Sequence, residues 1–421
     1  MAIFFLAALC AWGEVKTMTL RQALDLALAQ SPDVMLARLD QQKAREQVTI
    51  ARDPFLPKVF AGSGLAKPFG FPANIGGEAP AIIETKTQMA LFDRPQSYQV
   101  ATARENMRGS AIEVARQQDE VAFRVASLYL DAEQAARSLQ AAQREEENLG
   151  HVLEFVKTRV DEGRELPIEA HKADLSVRRA RNNVETFTLD LLNAETSLAV
   201  VLGMKPDDRV RAAADDRGPL ALPISEDRSI EEAIDNNRDL KRLESNMQAK
   251  MLEIKGYKAM RLPKVNLVAQ YELLGKYYYQ NFYSSFQRNN GQLGASFEMP
   301  LLIGRSSRAY VTQAELDIEK IRIEVERTRA RITADIRRGF QEVKRAESAR
   351  DFAREDLDVA REQVTNDLAR SDEGRVPMSV VEQSRAVEQE KWLVYYEAQH
   401  TVERARLNVM KQTGTLLAAL K

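Results

Sequence analysis

The chain has 421 residues, and its 60 Lys and Arg residues nearly balance its 62 Asp and Glu residues. This balance excludes the basic field with which nucleic-acid-binding proteins hold phosphates, so nucleic acid is not an expected partner. Hydrophobic residues make up 44% of the chain and charged residues 29%, a composition typical of long helices packed side by side.

An apolar run lies at the N-terminus, from Ile3 to Ala11. Its length suits the hydrophobic region of an export signal, and Ala11-Trp12-Gly13 places small residues where a signal cleavage site requires them. Residues 1–13 are therefore predicted to be a signal peptide, with an ordinary buried segment as the alternative. Cys10 is the only cysteine, which excludes an intrachain disulfide and leaves lipidation of Cys10 open.

The first predicted helix begins with a capping box, because Thr19 precedes Gln22 by three residues. In this arrangement the Thr19 hydroxyl accepts from the backbone of Gln22, and the Gln22 side chain returns to the backbone of Thr19. The helix is predicted to run to about Arg52, where prolines follow, and Pro32 dents it near its start.

After this helix the apolar pattern changes from helical to alternating, first at Val59 and Ala61 and then from Thr85 to Leu91. Alternation is the pattern of β-strands. The sequence therefore predicts a hairpin at about 56–92, with a long loop rich in Gly and Pro between its strands.

A very long helix follows, since no proline interrupts the chain between about 96 and 162. At 1.5 Å per residue this stretch gives a helix of roughly 100 Å. Its apolar residues recur in steps of four and three, with Glu146 as the one exception, which indicates a heptad seam; they are Val121, Val125, Leu128, Ala132, Ala135, Leu139, Ala142, Leu149, Leu153, Val156 and Val160. A turn at 161–164 leads into a second helix that ends at about Leu202.

Residues 205–228 contain three prolines and little periodicity, and they are predicted to be a linker. Beyond it the same order of elements returns. Ser229 and Glu232 repeat the capping box, and the helix that they begin is predicted to end at about Arg261. A second hairpin is predicted at about 264–302.

The loop of the second hairpin contains a cluster of aromatic residues, and they are Tyr277, Tyr278, Tyr279, Phe282, Tyr283 and Phe286. Such a cluster forms a girdle at the lipid headgroups or packs a soluble hairpin, and the predicted export signal together with the loops rich in Gly and Pro favours the girdle. Four strands cannot close a membrane barrel, because the smallest such barrels use eight. If these strands cross a membrane, several chains must share one barrel.

The second long helix has a rougher heptad seam, in which Arg350 and Asp367 stand at apolar positions. Polar residues in a seam set the register of the helices or face a wet interior. The sequence leaves these two roles open.

The two halves of the chain are copies of one unit. Asp161-Glu162-Gly163-Arg164 returns as Asp372-Glu373-Gly374-Arg375, which is a displacement of 211 residues (372 − 161). Self-similarity at a constant spacing is the signature of a repeat. The first unit is predicted to span 14–204 and the second unit 229–421, with turns at 161–164 and 372–375.

The order helix, hairpin, long helix, turn and helix, twice over behind a signal peptide, resembles the TolC-like outer membrane efflux protein family. The resemblance covers nearly the whole chain after the signal. It is carried by the short segments Leu20–Ala27, Ser229–Ile234, Leu56–Val59, Leu262–Val265, Leu91–Asp93, Pro300–Gly304, Leu202–Gly203 and Thr413–Gly414 together with both turns.

The resemblance implies a mainly α fold with a small β part. Long antiparallel helices of the two copies form an α-barrel tunnel, and four strands per chain contribute to a trimeric outer-membrane β-barrel. It implies a homotrimer in outer membrane lipid with a long periplasmic extension. Its implied partners are a periplasmic membrane-fusion adaptor and an inner-membrane pump of the RND, ABC or MFS type. Drug, metal and protein export are not distinguished.

By the same resemblance, the two turns lie at the periplasmic tip, and Gly163, Arg164, Gly374 and Arg375 contact the adaptor. Glycine allows the left-handed backbone that such a turn needs. Rings of carboxylates near the aperture are expected from Asp161, Glu162, Asp372 and Glu373. The alternative is a solvated turn in which the two arginines neutralise these acids. Pro167 and Pro377 differ in register by one residue, so the two turns need not share one shape.

The sequence contains no recognisable catalytic constellation, nucleotide-binding motif or cofactor site. His151, His171 and His400 lack the spacing of metal ligands and are expected to be surface or seam residues. A passive conduit is therefore predicted rather than an enzyme. A non-enzymatic periplasmic or cytosolic coiled-coil scaffold is the alternative; it explains the heptads but not the two hairpins in equivalent positions.

Overall fold

A computed structural model describes residues 15–64, 81–205, 207–213, 225–274, 287–301 and 304–420. The chain divides into two compact units, each built from segments of both halves of the sequence. The first unit comprises the residues up to Ala37, Val114–Arg238 and the residues from Thr328; the second unit comprises Arg38–Glu113 and Asp239–Arg327.

The fold is mainly α, as the sequence predicts. Two helices, α3 and α7, have 68 and 67 residues. The helices in the described part of the chain are α1 (Leu20–Gln30), α2 (Pro32–Arg52), α3 (Arg94–Asp161), α4 (Pro167–Val201), α5 (Glu226–Asn236), α6 (Arg238–Ala259), α7 (Ser306–Asp372), α8 (Met378–Thr413) and α9 (Leu416–Leu420). None of these helices carries an apolar stretch of the length that a membrane crossing requires.

A four-stranded antiparallel sheet lies in the second unit. Its strands are β2 (Lys58–Gly64), β3 (Ala81–Phe92), β5 (Lys264–Leu274) and β6 (Asn289–Glu298), in the order β2-β3-β5-β6. The inner strands of the two hairpins pair with each other, with Thr87 opposite Ala269. Every residue of β2 and β6 is exposed, so both edges of the sheet are open in the single chain.

The capping box at Thr19 is confirmed: the Thr19 hydroxyl accepts from Gln22, and the Gln22 side chain accepts from the Thr19 backbone. The helix breaks at Ser31, immediately before Pro32. The second copy breaks in the same way at Asn237, although no proline follows there. Ser31 and Asn237 have nearly the same backbone angles, φ −57° and ψ 129° against φ −59° and ψ 124°.

The predicted capping box at Ser229 is wrong. The helix begins one turn earlier, at Glu226, and the N-cap is Ser225. Glu226 and Asp227 occupy the first turn, where carboxylates interact favourably with the helix dipole. Ser229 is buried inside the helix, and its hydroxyl donates to the carbonyl of Ser225 at 2.8 Å.

A second sheet lies in the first unit, where the sequence analysis assigns no strand. It pairs β1 (Val15–Met18) with β4 (Arg209–Ala212) in parallel, and β4 falls within the predicted linker. Tyr129 of α3 joins the ends of this sheet, because its hydroxyl lies 3.2 Å from the Met18 carbonyl and 3.0 Å from that of Ala213.

The core of the first unit uses the predicted seam. Val121, Val125 and Ala132 are buried and Leu128 is partly buried against the core, so these residues repeat every three or four positions as one face of a helix. The same core includes Leu24, Tyr129, Leu198, Leu202, Leu407 and Leu416. Helices from both copies therefore contribute to one core.

The polar seam residue Asp367 crosslinks α7 and α8. Its side chain is 3% exposed, and it accepts hydrogen bonds from Ser384 of α8 at 2.5 Å and from Gln363 at 2.8 Å. The bond from Ser384 fixes the register of α8 against α7, which is the first of the two roles that the sequence leaves open, whereas Gln363 lies in α7 itself. Arg350 is paired with its neighbour Asp351 at 2.6 Å and stays partly exposed.

Candidate functional site at the two helical turns

The first turn ends α3 with a left-handed glycine. Gly163 has φ +72°, the Arg164 amide donates to the Arg159 carbonyl at 2.8 Å, and the Gly163 amide donates to that of Val160 at 3.0 Å. These two bonds form a Schellman motif, which satisfies carbonyls at the end of the helix. A Cβ at Gly163 would meet no atom within 4 Å, so the backbone angle alone requires glycine.

The second turn repeats this geometry. Gly374 has φ +71°, and the Arg375 amide donates to the Arg370 carbonyl at 2.9 Å. The helices that follow also begin 211 residues apart, at Pro167 and Met378. Proline is the first helical residue in the first copy and the N-cap in the second, and both positions tolerate it. The shift of the prolines therefore leaves the shape of the turn unchanged.

Each arginine of the turns pairs with a carboxylate of its own turn. Arg164 lies 3.3 Å from Glu162, and Arg375 lies 3.0 Å from Glu373. Both arginine side chains are more than two-thirds exposed, so these pairs contribute little to stability. Asp161 is exposed at the end of α3, whereas the side chain of Asp372 lies outside the described part of the structure.

The first turn has an additional ion pair. Arg159 Nε lies 3.5 Å from Glu165 Oε1, and the Arg159 guanidinium lies 5.6 Å from the centre of the Phe155 ring. Residue 376, the counterpart of Glu165 in the second turn, is Val376. The two turns thus share a backbone shape and differ in the side chains behind it.

A groove of about 530 Å³ lies beside the first turn, within the first unit, between α3, α4 and the start of α8. Its apolar walls include Leu149, Val152, Val156 and Val380. Its charged lining residues are Glu145, Glu165, Glu169, Lys172, Arg179 and Glu382.

Two carboxyl groups in this groove have raised pKa values. Burial raises the pKa of Glu382 to about 7, against the opposing effect of Arg385, and Glu165 raises it further. Burial also raises the pKa of Glu145. Sequence reasoning missed Glu382, because the segments that bury it lie some 200 residues away along the chain and no local pattern marks it.

The remaining predicted residues are not brought to this site. The aromatic residues Tyr277, Tyr278, Tyr279, Phe282, Tyr283 and Phe286, like the predicted signal peptide with Cys10, lie outside the described residues. His151 and His171 are exposed, whereas His400 contacts Asp131 at 2.8 Å. Over the ranges that the structure describes, no three His, Cys, Asp or Glu side chains are grouped as metal ligands would be.

A duplicated unit of long helical hairpins with matching glycine turns, joined to an open antiparallel sheet, defines the class of outer membrane channel proteins. Residues 76–204 and 229–420 match the family described as outer membrane efflux protein. The chain therefore belongs to the outer membrane efflux protein family. No curated protein sequence is a significant match.

Solved structures of outer membrane channels have the same fold. The Campylobacter jejuni CmeC outer membrane channel is 14% identical with a TM-score of 0.76, over 94% of this chain and 85% of that one. The open state of the Neisseria gonorrhoeae MtrE outer membrane channel is 16% identical with a TM-score of 0.72, over 94% and 88%. CusC, whose structures concern the conformational changes that accompany folding and transmembrane channel formation, is 14% identical with a TM-score of 0.76, over 94% of this chain and 92% of that one.

Proposed function

We propose that three copies of this chain form a passive channel in the outer membrane, through which a tripartite efflux or type I secretion system exports its substrate. The chain has no proposed catalytic role, and the energy for transport comes from an inner-membrane pump of the RND, ABC or MFS type. A periplasmic membrane-fusion adaptor connects that pump to the channel.

The open sheet is the observation that carries this proposal. β2 and β6 expose all their residues and pair on one side only. Unpaired strand edges are not tolerated in lipid, because their backbone groups find no hydrogen-bond partners there. Pairing β2 of one chain with β6 of the next removes the edges, and three chains of four strands give a barrel of a size found in membranes.

The turns are the proposed contact with the adaptor. Gly163 and Gly374 give each chain two turns of one backbone shape, so one kind of partner surface fits both. Arg164 and Arg375 are 71% and 73% exposed and are available to an acidic partner.

We assign the aperture charge chiefly to two of the four candidate carboxylates. Arg164 and Arg375 offset Glu162 and Glu373. Asp161 is exposed at the end of α3, and by analogy between the two copies we assign the excess charge of each turn to Asp161 and to its repeat, Asp372. Repeated around a trimer, these aspartates favour cations. The six aromatic residues of the second hairpin loop remain the predicted headgroup girdle.

Membrane fractionation of a double-membraned host, followed by detergent extraction and mass determination, tests the assembly. Recovery from the outer membrane as a particle of three chains supports the channel. Recovery as a soluble monomer or dimer overturns it.

Disulfide crosslinking tests the edge pairing, with Cys10 replaced by serine. One cysteine is placed on β2, at Val59, and a second at successive positions along β6. Crosslinks that join different chains are expected at one register. The Thr87→Cys, Ala269→Cys pair is the control, because these residues are opposite each other in one chain and give no increase in mass.

A further inference from the structure

The groove beside the first turn contains a buried carboxyl oxygen for which the described part of the chain provides no hydrogen-bond partner. Glu382 Oε1 is buried, and nothing within the described residues donates to it. The groove walls around it include the apolar side chains of Val152, Val156 and Val380. An ionised carboxylate in such a place is unfavourable, because it loses water without gaining a donor or a cation.

The charged groups around Glu382 come from every element of the groove. Glu145 of α3, Glu165 of the turn, and Glu169, Lys172 and Arg179 of α4 line the same groove. Glu165 and Arg385 of α8 itself act on the Glu382 charge. Glu169 is held by Lys172 at 2.8 Å and Glu165 by Arg159 at 3.5 Å. Among the described residues, no cationic side chain forms an ion pair with Glu382.

We propose that this groove is a pH-sensitive contact between the α3–α4 hairpin and α8, which closes when Glu382 carries a proton and widens when Glu382 is ionised. The protonated group is neutral, so it is buried at a lower cost between the apolar walls. The ionised group draws water into the groove and is repelled by Glu165. Because the pKa of Glu382 is about 7, both states are populated near neutral pH.

The groove lies beside the turn that is proposed to contact the adaptor. Acidification is therefore expected to change the shape of that surface. This consequence rests on the proposed function, whereas the closure of the groove does not.

The width of the groove is measured between spin labels at two of its neutral lining residues, Asn183 of α4 and Gln383 of α8. Both are replaced by cysteine in full-length chains that carry Cys10→Ser, mixed with an excess of unlabelled chains so that distances within one chain dominate. Pulsed electron paramagnetic resonance from pH 5.5 to 8.5 is expected to give a shorter distance at low pH, with a midpoint near pH 7. Labels at Gln143 and Asn183, both within the α3–α4 hairpin, are the control and are expected to show no change.

Three variants separate this mechanism from a general effect of acid. Glu382→Gln is expected to give the short distance at every pH. Glu165→Gln shifts the midpoint to lower pH and Arg385→Gln shifts it to higher pH, because these residues respectively raise and lower the pKa of Glu382.

The inference is overturned if the distance does not change with pH, or if it changes equally in Glu382→Gln. It is also overturned if Glu165→Gln and Arg385→Gln shift the midpoint in the same direction. The mass of the extracted particle tests the channel separately, so the failure of one proposal is distinguishable from the failure of the other.

Discussion

The Ser384 hydroxyl donates to Asp367 at 2.5 Å and so joins α8 to α7 inside the second helical hairpin, α7–α8. The first helical hairpin, α3–α4, lacks this bond, since the residues at the equivalent positions are Val156 (367 − 211) and Ala173 (384 − 211). At this level the two helical hairpins therefore differ: α3 and α4 have an apolar pair, whereas α7 and α8 have a hydrogen bond that also fixes their register.

Removing one member of the Asp367–Ser384 pair is expected to destabilise the protein more than replacing both. Ser384→Ala leaves a buried carboxylate with one donor fewer, whereas Asp367→Val with Ser384→Ala reproduces the apolar pair of the first hairpin. Thermal unfolding followed by circular dichroism measures the effect.

Ser176→Ala is the matched control for this comparison. Ser176 and Ser384 both donate to the carbonyl four residues earlier, at 3.1 Å. Of these two serines, Ser384 also donates to a carboxylate, that of Asp367. A double variant with a midpoint below that of Ser384→Ala would contradict the prediction.

The same pair gives a pH dependence. Hydrogen bonds from Ser384 and Gln363 lower the pKa of Asp367, so its contribution to stability is complete above the ordinary carboxyl pKa of about 3.9 and is lost as the pH falls below it. Between pH 6 and pH 3, the thermal unfolding midpoint is expected to fall less in the Asp367→Val, Ser384→Ala variant than in the unmodified chain.

Replacing the glycine of either turn by alanine is expected to lower the free energy of unfolding of the protein, although space for a side chain is available. Gly163→Ala and Gly374→Ala each force an L-residue into left-handed backbone, which costs about 1–2 kcal/mol. Gly150 lies within α3 and also has open space around it, so Gly150→Ala is expected to stabilise the helix by up to about 1 kcal/mol. Equal effects of Gly150→Ala and Gly163→Ala in urea unfolding would refute the role of the backbone angle.

Gly203 and Gly414 have similar backbone angles, so a comparison of alanine variants at the two positions isolates the effect of close packing around the added Cβ. Both have positive φ, +75° and +71°. A Cβ at Gly203 would lie 2.8 Å from the Gln30 carbonyl oxygen, whereas a Cβ at Gly414 would come no closer than 3.4 Å to Asn236. Gly203→Ala is therefore expected to lower the unfolding midpoint more than Gly414→Ala, and the reverse order would show that the contact at Gln30 relaxes.

Tyr129→Phe is expected to destabilise the β1–β4 sheet by about 1 kcal/mol, a typical loss for one hydrogen bond. The Tyr129 hydroxyl is near the carbonyls of Met18 and Ala213. Amide hydrogen exchange of β1 and β4 reports the change locally. Tyr310→Phe, at a residue that is 48% exposed, is the control, and a loss of protection in both variants alike would count against the assignment.

Asp161→Asn with Asp372→Asn is expected to reduce the preference of the channel for cations more than Glu162→Gln with Glu373→Gln does. The glutamates are already paired with Arg164 and Arg375, so removing them takes away less of the field at the aperture. Reversal potentials in planar bilayers under a KCl gradient measure this preference. Equal shifts in the two double variants would assign the field to all four carboxylates.

The sequence by itself determined the features that neighbouring residues specify. The capping box at Thr19 requires only residues one helical turn apart. The two turns depend on a glycine at the end of each helix, and the duplication made the second turn a check on the first. The heptad seam of α3 was readable because one face of a helix repeats every three or four residues.

Only the tertiary structure decided what depends on which distant segments meet. The break at Asn237 has no proline to mark it, the β1–β4 sheet joins segments that lie far apart in the chain, and Glu382 is buried by α3 and α4 of the other copy. Desolvation and strand pairing act between residues that are close in space, and residue types along the sequence do not reveal that proximity. Ser229 is a further example: its local sequence predicts an N-cap, but the helix begins one turn earlier, at Glu226, so that Ser229 lies inside the helix.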